Sequence, residues 1–290
     1  MPDPGTNGRL ARLPQGPGIK GALAAVYEAV RAPFADPEKQ PDGGFDPAFV
    51  EKADPLLEFL FDKYFRVRLI GMEHVPETGP ALVVANHSGG LPYDGAMMIH
   101  AFHRLHPSHR PLRPLVANFA FRSRVMAPII SRIGGVRASM ENALSLLDRG
   151  QLVGVFPEGL RGVGKLYRER YRLSNFGRGG FVRLARQAQV PIVPVAIVGA
   201  EEIHPVLGRM TRLAKPLGLP YIPITPTFPL LGPFGLLPVP TKWSIQIGPP
   251  IMVPSGDNST ETLEIAEAVR RRIDQMIAEL LVQRRSIIFG

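Results

Sequence analysis

Three short apolar runs constrain the fold of this chain more than any other feature: 81–85 (ALVVA), 152–156 (LVGVF) and 191–199 (PIVPVAIVG). Each is bounded by turn residues, the mark of a buried strand. Segments with helical spacing lie around them, at 94–105, 122–133, 142–149 and 178–187. Further strands are expected at 65–71, around Leu115 and Val116, and at 243–247. The chain closes on a long helix whose Leu263, Ala266, Val269, Ile273, Met276, Ile277 and Leu280 form one packing stripe. Strands alternating with helices predict an α/β layered domain, a central β-sheet flanked by helices. No internal repeat is present.

The remaining segments divide the chain. Residues 1–19 carry no apolar core of the kind a signal peptide needs and read as a mobile tail. Residues 20–64 read as N-terminal helices, and the domain proper is expected at 65–290. Positions 49–65 are apolar nearly all round, so that helix is either core or lies against a bilayer. Cysteine is absent, which excludes disulfides, thiolate catalysis and Cys-ligated zinc. A net charge of +9, from 34 basic and 25 acidic residues, points to an acidic partner.

The first apolar run drops directly into Asn86-His87, then Ser88, two glycines, Leu91, Pro92, Tyr93 and Asp94. His87 therefore stands where a strand opens into a loop, and Asp94 begins a helix. Two readings stand on these residues alone. The carboxylate reaches back to the imidazole and makes His87 a general base, or a turn histidine precedes a helix-capping aspartate. Downstream, His100, His103, His106 and His109 recur at three-residue spacing. No carboxylate sits among them and Pro107 breaks the register, so no metal site is expected; a solvated or membrane-facing edge is.

Two further stretches carry information. Residues 161–186 hold eight Arg or Lys and one acidic residue, a net charge of +7, immediately after the Phe156-Pro157-Glu158-Gly159 strand end. Open α/β sheets bind ligands at such ends. Arg161 and Lys165 are the expected phosphate contacts, and the other arginines are expected on solvated helix faces. Gly159 to Lys165 matches the first part of a phosphate-binding loop, but Leu166 stands where the magnesium-binding hydroxyl belongs. Tyr167, Tyr171 and Phe176 interleave the basic run, yet no nucleic-acid module surrounds them, and nucleic acid is not an expected partner. Residues 216–241 contain 26 residues, eight prolines and no charge. The prolines forbid a membrane-spanning helix. What remains is an apolar loop, packed on the core or dipped into a membrane interface, where flanking cations would favour an anionic leaflet.

Taken in order, Asn86-His87 with Asp94, Gly134-Gly135-Val136-Arg137, Phe156-Pro157-Glu158-Gly159 and Val190-Pro191-Ile192-Val193-Pro194 resemble the four blocks of the glycerolipid acyltransferase family. The lysophosphatidic acid acyltransferases are its best-known members, and the resemblance covers 65–199. It implies a mostly parallel sheet and assigns His87 as general base with Asp94 as its partner. It places Glu158, Gly159 and Arg161 at the acceptor, Arg137 at its phosphate, and Pro191 and Pro194 on the acyl-donor side. The implied activity moves an acyl chain from acyl-CoA or acyl-carrier protein to a lysophospholipid hydroxyl, with no cofactor. The implied location is the cytoplasmic side of a membrane, peripheral or monotopic, with membrane lipids as partners. Two features depart from the family. Six residues rather than four separate His87 from Asp94, with Pro92 at the family position, and Leu160 and Gly162 replace the usual threonine and serine. A neutral acceptor such as diacylglycerol, or a non-catalytic membrane-binding protein on the same scaffold, are the alternatives. With no Gly-x-Ser-x-Gly elbow present, only Ser88 beside the base is a candidate for a covalent route.

Overall fold

A computed structural model describes residues 18–31, 41–87, 93–214, 221–256 and 259–289. Residues 1–17 of the tail expected at 1–19, the loop at 88–92 and the first residues of the apolar segment, 216–220, lie outside the described residues, whereas Gly18 and Ile19 open a helix. Seven strands form one sheet: β1 (Arg68–Ile70), β2 (Ala81–Ala85), β3 (Leu112–Val116), β4 (Val136–Arg137), β5 (Leu152–Val155), β6 (Ile192–Val198) and β9 (Ser244–Ile247). Their order is β1-β9-β6-β2-β5-β3-β4. The five from β6 to β4 run parallel, whereas β9 is antiparallel to β6 and carries β1 with it. A separate hairpin of β7 (Gly208–Met210) and β8 (Ile222–Ile224) stands off this sheet.

The apolar runs are continuous because both faces of the central strands are covered. Every side chain of β2 is out of water. Successive residues alternate between two cores, as the two-residue period of a strand requires. Leu82 and Val84 join a core completed by α5 (Met140–Asp148), α7 (Gly180–Ala188) and α9 (Ser259–Gln283). Ala81, Val83 and Ala85 join a second, built with α3 (Tyr93–Leu105), Phe61, Phe65 and Trp243.

Residues 49–65 contribute much of their apolar surface to the core, while Phe59 stays exposed. Helix α1 (Gly18–Arg31) packs on α2 (Pro47–Glu58), which Asp46 caps by accepting the Phe49 N–H at 3.1 Å. A wide helical turn over Phe59–Tyr64 follows. Phe49, Val50, Ala53, Phe61 and Phe65 are all buried. The strand expected at 65–71 shrinks to the three residues of β1. Its backbone leaves the ladder at Gly71, whose positive φ of 83° and contact with the Ile247 carbonyl leave no room for a side chain.

The histidine series is a solvated edge only in part: His109 is exposed and His103 half-buried. His100 and His106 are buried. The helix pair brings Asp54 of α2 to 3.0 Å from His100 Nδ1, supplying a carboxylate that the local sequence lacks. Nearby, His109 Nδ1 lies 3.0 Å from the His103 carbonyl.

Trp243, the single tryptophan, lies just before β9 and ties that strand to the second core. It stacks on Phe65 with centroids 4.5 Å apart, and its indole N–H donates to Thr241 at 3.0 Å. Trp243→Ala is expected to cost about 3–5 kcal/mol of stability, measured as a lower urea midpoint followed by circular dichroism.

Candidate active site

At the carboxyl end of β2 the ladder closes through a side chain. Asn86 is buried, and its amide both donates to the Ile197 carbonyl (3.0 Å) and accepts the Ile197 N–H (2.7 Å). That pair imitates a backbone pairing with β6 and pins the strand end. His87 is the next residue. Its Nδ1 lies 2.6 Å from Asp94 Oδ2, and the Asp94 side chain is fully buried. The other carboxylate oxygen accepts the Gly95 N–H at 2.8 Å. An ionised carboxylate only accepts, so Nδ1 carries the ring proton and Nε2 presents its lone pair. The ring packs against Phe156, from the end of β5, at 4.5 Å between centroids, and 16% of the side chain is exposed. The six intervening residues therefore do not keep Asp94 from the imidazole.

Glu158 holds this arrangement from below. One oxygen accepts the His87 N–H at 3.2 Å; the other accepts the Ser174 N–H at 2.7 Å and meets Lys165 Nζ at 2.8 Å. Lys165 also pairs with Glu201 at 3.3 Å, and Glu201 accepts the Tyr171 N–H at 2.8 Å. Glu158 and Lys165, expected at the acceptor, are thus paired with each other in this structure. Both are buried, and a buried ammonium needs the two carboxylates already beside it. Beyond them, Glu202 pairs with Arg284 at 2.6 Å. Arg186, expected on a solvated face, is instead buried against Glu261 and Thr262 of α9.

Gly159 turns the chain with a φ of 52° into the short helix α6 (Leu160–Val163). A Cβ on Gly162 would lie 2.9 Å from the backbone oxygen and the Cβ of His87 and from the Cβ of Glu158. The helix can therefore approach the histidine only as glycine at that position. Arg161 is exposed and forms no ion pair among the described residues. Arg137 ends β4 at the same end of the sheet, its guanidinium 5.0 Å from the Phe121 ring centre. Three strand spacings separate it from β2, about 14 Å. Pro191 and Pro194 do not reach the site: they lie at the start of β6 and within it, Pro191 accepting the Leu82 N–H at 2.9 Å. Sequence reasoning missed Asn86 as the strand lock and Glu201 as the second partner of Lys165. The available signal was the adjacent pair Glu201-Glu202 just after a buried strand.

Several known proteins are similar to this chain. The Acyltransferase family model matches residues 66–198. A Mycobacterium tuberculosis protein described as uncharacterized is 45% identical over 92% of this chain and 76% of its own length. A Bos taurus "DGAT1/2-independent enzyme synthesizing storage lipids" is 28% identical over 71% of this chain and 58% of its length. The Ovis aries 1-acyl-sn-glycerol-3-phosphate acyltransferase alpha is 34% identical over 48% and 47%. The crystal structure of the 1-acyl-sn-glycerophosphate (LPA) acyltransferase from Thermotoga maritima shares the fold, with a TM-score of 0.53 at 18% identity over 91% of this chain and 90% of that one.

Burial pushes the Glu201 carboxyl up to about 7, against the opposing pull of Lys165 and the Tyr171 N–H. The folded chain thus holds a proton that the unfolded chain releases near 4.5. Stability contributed at this position falls as pH rises from 4.5 towards 7. Glu201→Gln is expected to flatten that fall, read from urea midpoints across the same window.

Proposed function

The chain belongs to the glycerolipid acyltransferase family and is an O-acyltransferase, and from that premise we propose that it acylates the hydroxyl of a lysophospholipid from a thioester donor, acyl-CoA or acyl-carrier protein. The observation that carries this reading is the 2.6 Å contact between His87 and a fully buried Asp94 at the carboxyl end of the parallel strands. His87 Nε2 takes the proton of the acceptor hydroxyl as its oxygen attacks the thioester carbonyl. The tetrahedral adduct collapses with cleavage of the carbon–sulfur bond. The leaving thiolate recovers the proton from the imidazolium, which Asp94 stabilises and holds in orientation. The acyl group passes directly to the acceptor, since the chain has no cysteine and no nucleophile elbow. Ser88, the covalent candidate, lies outside the described residues.

Arg161 is the group proposed to meet the acceptor's phosphate. It is exposed and precedes Gly162, which abuts His87, and guanidinium grips phosphate with two parallel hydrogen bonds. Arg137 is the proposed second cation, on the flank of the same sheet end. Glu158, Lys165 and Gly162 position His87 and do not touch substrate. A neutral acceptor is the second reading. It is favoured by Gly162 in place of the family's serine and by the storage-lipid activity in the bovine relative's name.

A panel of lysophospholipids and neutral glycerides, assayed with long-chain acyl-CoA, tests the proposal. His87→Ala is expected to lose roughly 10²–10⁴ in rate, and undiminished turnover would overturn the mechanism. Arg161→Ala should raise KM for a phosphate-bearing acceptor and leave a neutral one unaffected; equal effects on both would favour the neutral reading. Gly162→Ala should lower kcat by about 10²-fold through displacement of His87, with KM little changed.

A further inference from the structure

We infer that residues 205–214 and 221–241 form a docking surface for an anionic lipid bilayer, seated by Leu230, Leu231, Phe234 and Leu237. These four side chains are 85%, 59%, 78% and 64% exposed. Their exposure decides against core packing for the apolar loop. It is also concentrated. Of the 19 large apolar residues left in water among the described residues, seven lie between 207 and 239.

The tip is built and held in shape. The Thr227 hydroxyl donates to the Gly235 carbonyl at 2.9 Å, and the Phe228 N–H donates to the Thr225 hydroxyl at 2.9 Å. The Leu231 N–H reaches the Thr227 carbonyl at 2.8 Å. Gly235 lies so close to Thr227 that no side chain fits there. At the root, Tyr64 donates to the Pro238 carbonyl at 2.6 Å, and the Val239 N–H meets the Ile203 carbonyl at 2.8 Å. A rigid frame that keeps four large apolar groups in water fits a structure meant to insert them elsewhere.

Charge selects the partner. From 205 to 242 the sequence contains no Asp or Glu but has Arg209, Arg212, Lys215 and Lys242. Arg209 and Arg212 are exposed on and beside the β7–β8 hairpin. Apolar protrusions on a segment whose charges are all cationic suit the interface of an anionic leaflet. A second copy of a chain with a net charge of +9 would meet like charge. In 49–65, Phe49, Phe61 and Phe65 are spent on the core, so that stretch offers a smaller apolar surface than the lobe.

The lobe is rooted beside the site. His204 Nε2 lies 2.8 Å from the Leu236 carbonyl, and its ring is 6.1 Å from that of Tyr93, the neighbour of Asp94. His204 also shares a small cavity with Gly162, which abuts His87. Docking through this lobe therefore brings the site to the lipid surface. The inference deepens the acyl-transfer reading, but its readout is binding and does not depend on turnover.

The test is sedimentation of the full chain with vesicles of phosphatidylcholine alone or of equimolar phosphatidylcholine and phosphatidylglycerol. Wild type should sediment with the anionic vesicles and be released by salt. The Phe234→Ser/Leu237→Ser and Leu230→Ser/Leu231→Ser pairs should each lose at least tenfold in partitioning with unchanged circular dichroism. Val282→Ser, exposed on α9, should not. His87→Ala should bind like wild type, so that failure of catalysis and failure of docking are read separately. Wild-type partitioning of both loop variants would overturn the inference, as would binding of an acidic carrier protein, but not vesicles, through the loop.

Discussion

The structure depends on β2 being buried on both faces and hydrogen-bonded along both edges. A strand so enclosed has a single register, because a slip of one residue would exchange Leu82 and Val84 with Ala81, Val83 and Ala85 between two differently shaped cores. The fixed register determines where the strand stops, and Asn86 extends the lock one residue further by pairing with Ile197. The position of His87 is thus inherited from the most constrained part of the molecule. Its ring needs only a short carboxylate at the start of α3 to set its tautomer.

Beneath the histidine the protein places charge where an apolar packing would be simpler. Glu158, Lys165 and Glu201 form a buried chain whose members satisfy one another and two loop amides, those of Ser174 and Tyr171. Such groups are poor sources of net stability, since desolvation offsets most of their attraction. They do impose geometry. Glu158 fastens the segment after β5 to His87, two residues beyond β2, so that two neighbouring strand ends are tied together. Gly162 completes the fit by letting α6 approach the histidine backbone.

The apolar lobe has the opposite character. Its inner face is hydrogen-bonded to Tyr64 and Ile203 and its outer face is left uncovered. On the proposed reading, acyl chains partition out of water, and His87 as base near the foot of such a lobe lies close to where they are concentrated. The basic span that dominates the chain's charge is divided by the fold: Lys165 and Arg186 become internal ties, and Arg161 stays in solvent.

The α/β class, the central strands and the junction at His87 could be read directly from residue order, because runs such as ALVVA encode two-sided burial locally and the turn residues mark where it ends. The dyad could be read only as one of two alternatives, since the distance between His87 and Asp94 depends on how β2 and α3 are set relative to each other. Other outcomes were not local at all. Whether the aromatic residues of 49–65 face lipid or core depends on α1, α3 and the sheet. Whether Lys165 meets a phosphate or a carboxylate depends on Glu201, 36 positions away. Residue order determined which groups must leave water and which may stay. Tertiary structure alone decided which charges neutralise each other and which apolar side chains remain exposed, because burial and pairing are properties of neighbours that the chain brings together only on folding.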